Sequence, residues 1–452
     1  MAEDADIIVL GGGASGLAAA YLAARAGLKV MLVEANETVG GLLSTFEVGG
    51  TRLEHYYHHF FSHDEELRWL CAELGIADRL HYHAATMGMY RGGNHYAFNS
   101  PVDLLLRFRP VDLPGRVRFA ATSLYLGSYA DWRNWEHMTA LDWFRRYAGR
   151  SATDAIWRPM LEIKFGPYAS EVPVSWMIGR LRQRMNSREK GDERLGYLEG
   201  SLEVLLRALL QHLQRLGVVV KTSLPVEELV VERGAVRAIK TSEGAYAARQ
   251  FLSCLPTPVL ARLLAPHHAD YAAALGRVQY FGAVCTILEM NQPLSSTYWL
   301  NVADEGFPFG GVIEHTNLIP ASHYQGRHLA YLSRYYEAGH PLSSMTKSEV
   351  AETMMQPLSR IYPHWQASQV ENVHVFRTNT AAVVCDRGFS RKVPQVSTPL
   401  GGLHAISMAH VYPDERSCNN SIRTAAAALR SMGHPTGDLP RGPSLAGQIG
   451  FA

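Results

Sequence analysis

The chain has 452 residues, enough for about two or three domains with buried cores. Apolar residues make up 47% and charged residues 19%, which excludes a disordered chain. Lys and Arg number 43 against 42 Asp and Glu, a net charge of +1, so the basic surplus expected of a nucleic-acid binder is missing. The five cysteines (Cys71, Cys254, Cys285, Cys385 and Cys418) are scattered and form no C-x-x-C pair. A disulfide framework and a cysteine zinc site are therefore not expected, and a reducing, cytoplasmic setting fits. The acidic N-terminus runs straight into a strand, so no signal peptide is expected. No apolar run reaches the roughly 18 residues of a membrane-spanning helix.

Asp6 to Leu10 (DIIVL) is a short apolar run, the pattern of a buried parallel strand. It ends in Gly11-Gly12-Gly13-Ala14-Ser15-Gly16, which satisfies G-x-G-x-x-G. Ala18 to Ala26 reads as a helix of small residues and Leu28 to Val33 as a second strand, closed by Glu34. Gly11 permits a tight turn, Gly13 lets the backbone approach a pyrophosphate, and Gly16 lets the helix pack closely on the strand. The helix N-terminus offers N–H groups and the positive end of a dipole to phosphate. Glu34 suits both ribose hydroxyls of an adenosine and repels a 2′-phosphate, which argues against NADP. Strand, glycines, helix, strand and acid in this order predict a dinucleotide site, with a plain NAD-binding dehydrogenase as one reading.

Six residues beyond Glu34 comes Gly40-Gly41-Leu42-Leu43-Ser44-Thr45, a glycine pair that brings more backbone against a diphosphate. The arrangement E-x5-G-G-x3-T resembles the start of the glutathione-reductase-like flavoproteins. Within them it is most similar to the flavin amine oxidase and protoporphyrinogen oxidase superfamily, and more distantly to UDP-galactopyranose mutase. The resemblance implies an α/β fold, with a discontinuous Rossmann-type FAD-binding domain and a mixed α+β substrate domain. It implies non-covalent FAD held by Gly11, Gly13, Ala14, Ser15, Gly16, Glu34, Ala35, Gly40, Gly41 and Leu42.

Further along, Leu202 to Leu216 reads as a helix, and Val218 to Lys221, Val226 to Val231, Ala235 to Thr241 and Phe251 to Leu255 as strands. By the resemblance, the strand with Val226 passes the adenine. A last return, Gly401 to Ala409, leads through Tyr412-Pro-Asp-Glu-Arg416 to a helix from about Asn419 to Leu429. It is similar to a Y-P-E-D-R-G variant in bacterial oxidoreductases of the group, with Glu415 for Asp and Ser417 for Gly. Arg416 and Ser417 are thereby implied at the cofactor, while Asp414 and Glu415 both stay open as the carboxylate on its side. The implied FAD domain is 1–60, 195–265 and 400–436, the substrate domain 61–194 and 266–399, and 437–452 an extended or mobile tail. In the substrate segments Glu65 to Leu74, Asp142 to Tyr147 and Trp176 to Met185 read as helices, and Val284 to Glu289 and Leu329 to Tyr335 as strands.

The densest polar and aromatic cluster is His55-Tyr-Tyr-His-His-Phe-Phe-Ser-His63. Its His58 to Asp64 part is similar to the H-x-F-H-x-N-D stretch of UDP-galactopyranose mutase, which implies His58, and His59 beside it, at the flavin as catalytic candidates. Four histidines at this spacing, with no acidic or thiolate partner, do not suggest a metal site. Trp157 to Tyr168 resembles a W-x-P-L-x-x-K-F-G stretch of the same oxidoreductases, and Lys164 reads as a helix-end lysine paired with an acid, before a cap at Gly166. Arg180, Arg182, Arg184, Arg188 and Arg194 suit either an anionic substrate or a solvated helix face. Arg107, Arg109, Arg116 and Arg118, alternating with apolar residues through 102–126, fit an amphipathic helical pair, a lid or a peripheral membrane contact. The expected function is oxidation of a small molecule (amine, alcohol or C–C bond) by FAD, in a monomer or homodimer. The alternative is a mutase-like isomerase of a sugar nucleotide or lipid-linked sugar.

Overall fold

The computed structural model describes residues 3–100, 102–189, 192–445 and 450. A strand, β1 (Ala5–Leu10), runs into a helix, α1 (Ala14–Arg25), and then a second strand, β2 (Val30–Val33). β1 lies in a seven-stranded sheet, parallel to β2 on one side and to Gly244–Ser253 on the other. Val219–Lys221 extends the sheet beyond β2, and Leu403–Ala405 joins Gly244–Ser253 in parallel. Three stretches far apart in sequence thus share one sheet. Along β1 the side chains alternate between two cores: Ile7 and Val9 enter one with α1, while Ile8 and Leu10 enter the other. All four are fully buried, each contributing roughly 1.5–3 kcal/mol, so β1 is anchored on both faces.

A second seven-stranded sheet runs Val370–Val383, Tyr280–Met290, His328–Tyr336, Gly311–Glu314, Trp299–Val302, Met87–Arg91, Asn94–Ala97. It is antiparallel except where Trp299–Val302 meets Met87–Arg91. Beside it lies a helical layer that includes α2 (Leu113–Ser128), α3 (Arg158–Phe165) and α4 (Val174–Asn186), with a core of Phe119, Phe144, Trp157 and Ile178. A final helix, α5 (Cys418–Ser431), packs on α1 through Ala425, Ala428 and Leu429.

Most expected elements occur, with shifted ends. The helix after the glycines starts at Ala14 and so includes Gly16. The strand expected from Val226 starts at Glu228: Pro225 has no N–H for a ladder, and pairing begins at Glu228 with Lys240. Val226 lies in the segment before it. The expected division at 194/195 falls inside the strand Asp192–Leu198, and Ala272 and Leu275, beyond the division at 265/266, pack into the core of the first sheet. Residues 433–445 contain no helix or strand, but they are pinned: Asp414 accepts from Leu445 N at 2.9 Å, and Leu445 O accepts from Trp132 Nε1 at 3.0 Å. The tail residues 446–449 and 451–452 lie outside the described residues.

The short ribbon Thr45–Val48 and Thr51–Glu54 ends on a buried acid. The Glu54 carboxylate accepts from Leu202 N at 2.8 Å and from Tyr197 Oη at 2.9 and 3.0 Å. Burial raises its pKa from 4.5 to about 7. The folded value lies above the unfolded one, so the stability it contributes is complete below about pH 4.5 and is lost as pH rises through 7. Glu54→Gln is neutral throughout. Its stability relative to the native chain is expected to rise by roughly 2–3 kcal/mol between about pH 4 and pH 8 in urea unfolding. A difference that stays constant with pH contradicts this.

Candidate active site

The turn between β1 and α1 is shaped by two glycines. Gly11 has φ +100°, and a Cβ on Gly16 would lie 1.8 Å from the Gly11 carbonyl oxygen, so only glycine lets α1 sit this close to β1. Gly13 differs: a Cβ there would meet nothing within 4 Å, so its backbone faces open space. No side chain caps the N-terminus of α1, where Ala14 and Ser15 begin the helix. Gly40 bridges to Gly13, its N–H donates to Gly12 O at 2.8 Å, and a Cβ on Gly41 would be 3.3 Å from Gly13 Cα. The two glycine turns therefore form one cradle of bare backbone.

Glu34 ends β2 beside this cradle. Its buried carboxylate accepts from Gly12 N at 2.7 Å and from Asn36 N at 2.8 Å, which fixes its direction and leaves lone pairs for further donors. Ala35 next to it is exposed. Ser223 N and Leu224 N bind Asn36 O and Glu34 O, so the segment leading to half-buried Val226 runs along the same edge. Val226 packs against the first-sheet core and does not line the cleft described next.

Leu42, directly after Gly41, enters a cleft of about 1040 Å³, counting its open mouth. His58, His59, Arg416 and Ser417 line it too, with Lys164 of α3, Arg180 and Arg184 of α4, and Trp299 and Tyr335 of the second sheet. The expected site residues thus fall into two groups, the cradle with the edge that carries Glu34, Ala35 and Val226, and the cleft, joined at Gly41-Leu42. His58 Nδ1 lies 2.6 Å from Tyr56 O, which orients the ring. Burial pushes its pKa to about 4, and nearby Arg416 adds to this. Burial, with Arg184, His58 and Arg180, pushes His59 to about 3. Both imidazoles are neutral at pH 7, and His59 Nδ1 is buried with no hydrogen-bond partner among the described residues. That atom on a cleft-lining residue leaves one hydrogen-bonding position unused by the described residues.

Glu415 is the acid that Lys164 meets, with Nζ donating to Oε1 at 3.1 Å, while Arg180 donates to Oε2. Gly166 ends α3 at φ +50°. Lys164 and Arg180 both lie over the Trp176 ring, at 4.7 and 5.6 Å. Arg416 donates to Tyr335 Oη and lies 5.2 Å over its ring. Despite its burial, Glu415 is held well below the usual carboxylate range by Arg180, Lys164 and Arg416. Burial and Arg180 draw Lys164 down to about 7. Asp414 points instead to the tail at Leu445, so Glu415 is the carboxylate on the cleft side. Ser417 caps α5 by accepting from Asn420 N at 3.1 Å. Of the arginine series, Arg180 and Arg184 share the cleft face of α4, one turn apart. Arg182 turns away to Gly127 O and Ala130 O, and Arg194 donates to Tyr82 O. The side chain of Arg188 lies outside the described residues. Sequence reasoning gave no site role to Lys164 and left Glu415 open beside Asp414; the pair is separated by 251 residues.

Residues 14–391 match the family described as flavin containing amine oxidoreductase. Among relatives, the chain is 20% identical over 427 residues to 15-cis-phytoene desaturase, chloroplastic/chromoplastic, of Solanum lycopersicum, covering 88% of this chain and 72% of that one. For several other curated relatives the match spans only about half of their length. Among solved structures, an oxidoreductase from Methanosarcina mazei is similar at TM-score 0.74 and 17% identity, covering 94% of this chain and 99% of the other. Reduced UDP-galactopyranose mutase is similar at TM-score 0.71 and 14% identity, covering 95% of each chain. At these identities the structural likeness is one of fold. The family match takes in α1, the second glycine turn at Gly40-Gly41 and the whole second sheet, and on it the chain belongs to the flavin containing amine oxidoreductase family and is a flavin-dependent oxidoreductase.

Proposed function

We propose that this chain binds FAD non-covalently along the cradle and into the cleft, and oxidises a small anionic molecule at an amine, alcohol or C–C bond. The observation that carries the proposal is the continuity of bare backbone at Gly13, Gly40 and Gly41 with Leu42 and the cleft. An extended dinucleotide fits this path: Glu34 for the ribose hydroxyls, uncapped α1 for the diphosphate, and the cleft with unpaired His59 Nδ1 for the ring. FAD held there would supply the two-electron acceptor for the substrate's hydride. The chain supplies position and charge. Neutral His58 and His59 offer hydrogen bonds without adding charge, and Leu42 and Trp299 help to exclude water. Lys164, Arg180, Arg184 and Arg416 outnumber Glu415 and the Glu193 that pairs with Arg184, leaving net positive charge for an anionic substrate. The same surplus supports a second reading, an isomerase of a sugar nucleotide of the kind suggested by the mutase-like fold. We favour oxidation because of the family to which the chain belongs.

The two readings separate without oxygen. Substrate alone is expected to bleach the oxidised flavin absorbance in one turnover. Turnover that needs dithionite and leaves the product at the same oxidation level contradicts oxidation and favours isomerisation.

Glu34→Ala is expected to weaken FAD binding about 10- to 100-fold in equilibrium titration, through loss of a charge-assisted contact. Because the carboxylate also holds Gly12 and Asn36, Gly13→Ala is the companion variant. Its added methyl meets no protein atom, so it should leave apoprotein unfolding unchanged and still weaken FAD. Unchanged affinity in both variants contradicts the assignment.

Lys164 loses its charge as pH rises through about 7, its pKa being lowered by burial and by Arg180. KM for an anionic substrate is therefore expected to rise across neutral pH in the native enzyme and to stay level in Lys164→Arg, which remains charged. Identical profiles contradict the role given to Lys164.

A further inference from the structure

Of the ten large apolar side chains exposed among the described residues, eight lie between Val102 and Tyr147. The helix α2 explains the concentration, because it carries two apolar stripes. The inner one, with Phe119 and Leu126, is buried in the helical core. The outer one, Leu113, Val117, Ala121 and Leu124, recurs every three or four residues and so lies along one face, which is exposed. Leu106 before the helix and Tyr129 after it are more exposed still, at 71% and 76%. Singly exposed apolar residues need no explanation, but a contiguous row marks a surface meant to be covered.

The charges say what covers it. Residues 102–150 hold eight arginines and five acids, an excess of three in a chain whose net charge is +1. Arg109 and Arg118 are exposed and make no ion pair among the described residues. The acids of α2 and the turn before it are Asp103, which is buried and paired with Arg107, and exposed Asp112. A second copy of the chain meeting this face about a two-fold axis would bring arginine against arginine. An anionic lipid surface meets both features together, with phosphates for the guanidinium groups and acyl chains for the apolar row. No helix among the described residues is long and apolar enough to cross a membrane, so contact would lie in the plane of the interface.

We propose that α2 and the turn before it dock the enzyme on an anionic lipid bilayer, with the outer stripe entering the boundary between headgroups and acyl chains. The docked face is one helix away from the cleft. A Cβ on Gly127 of α2 would lie 2.0 Å from Met185 Sδ of α4, so these helices are in close contact, and Arg180 and Arg184 of α4 reach the cleft. The surface is independent of the substrate assigned above.

The test is co-sedimentation of the flavin-loaded enzyme with vesicles of phosphatidylcholine alone or mixed with phosphatidylglycerol. Binding is expected to the mixed vesicles and to weaken as salt is raised. The triple variant Leu113→Ser, Val117→Ser, Leu124→Ser is expected to lower the partition coefficient roughly tenfold or more, through loss of buried apolar area. Its flavin content and melting temperature should match the native enzyme, since all three side chains point to solvent. Arg109→Gln with Arg118→Gln, which keeps the stripe, is expected to remove most of the preference for phosphatidylglycerol. The proposal is overturned if mixed vesicles sediment no enzyme, if the triple variant binds as well as the native chain, or if native enzyme is a dimer that the triple variant dissociates.

Discussion

One carboxylate ties the cleft together. Glu415, on the turn that leads into α5, receives Lys164 from α3 and Arg180 from α4, with Arg416 beside it. Two helices of the helical layer and the C-terminal return therefore meet at a single carboxylate on the cleft wall. Without it, partly buried cations would stand uncompensated on the cleft wall. With it, the balance is still unequal, and the remaining positive charge faces the cleft. Lys164 is the member that yields: a guanidinium keeps its proton, whereas a desolvated ammonium beside another cation gives its own up more readily.

The cradle depends on contact of a different kind, backbone against backbone. The near-touching of Gly16 and the Gly11 carbonyl sets α1 on β1, and the approach of Gly41 to Gly13 sets the second turn on the first. Each approach needs a residue without a side chain, and together they leave a strip of peptide groups leading toward Leu42 and the histidines. Glu34 marks one end of that strip and Glu415 stands near the other. The strip runs directly into Leu42 on the cleft wall, which is why the cradle and the cleft are read as one site.

How much of this was legible in the sequence depends on how far apart the cooperating residues lie. The unit β1, α1, β2 was readable because its whole logic fits within about thirty residues, although Gly16 read as part of the turn and the helix in fact begins at Ala14. His58 and His59 drew attention as a local cluster, and the structure places both on the cleft, but their neutral state follows from burial, which spacing does not show. Val226 was expected within a strand, yet Pro225 and the register with Ala235–Thr241 start the ladder later. The pairing of Lys164 with an acid was expected, whereas the identity of the acid was not. Lys164 and Glu415 are brought together only by the packing of α3 against the C-terminal return, and no local pattern encodes that.

The most direct test of the account is a crystal structure of the chain with FAD. The adenosine ribose is expected on Glu34, the diphosphate along Gly13 and Gly40-Gly41, and the flavin ring in van der Waals contact with Leu42 and His58, with His59 Nδ1 given a partner. A flavin ring outside the cleft, or an adenosine bound away from Glu34, would contradict it.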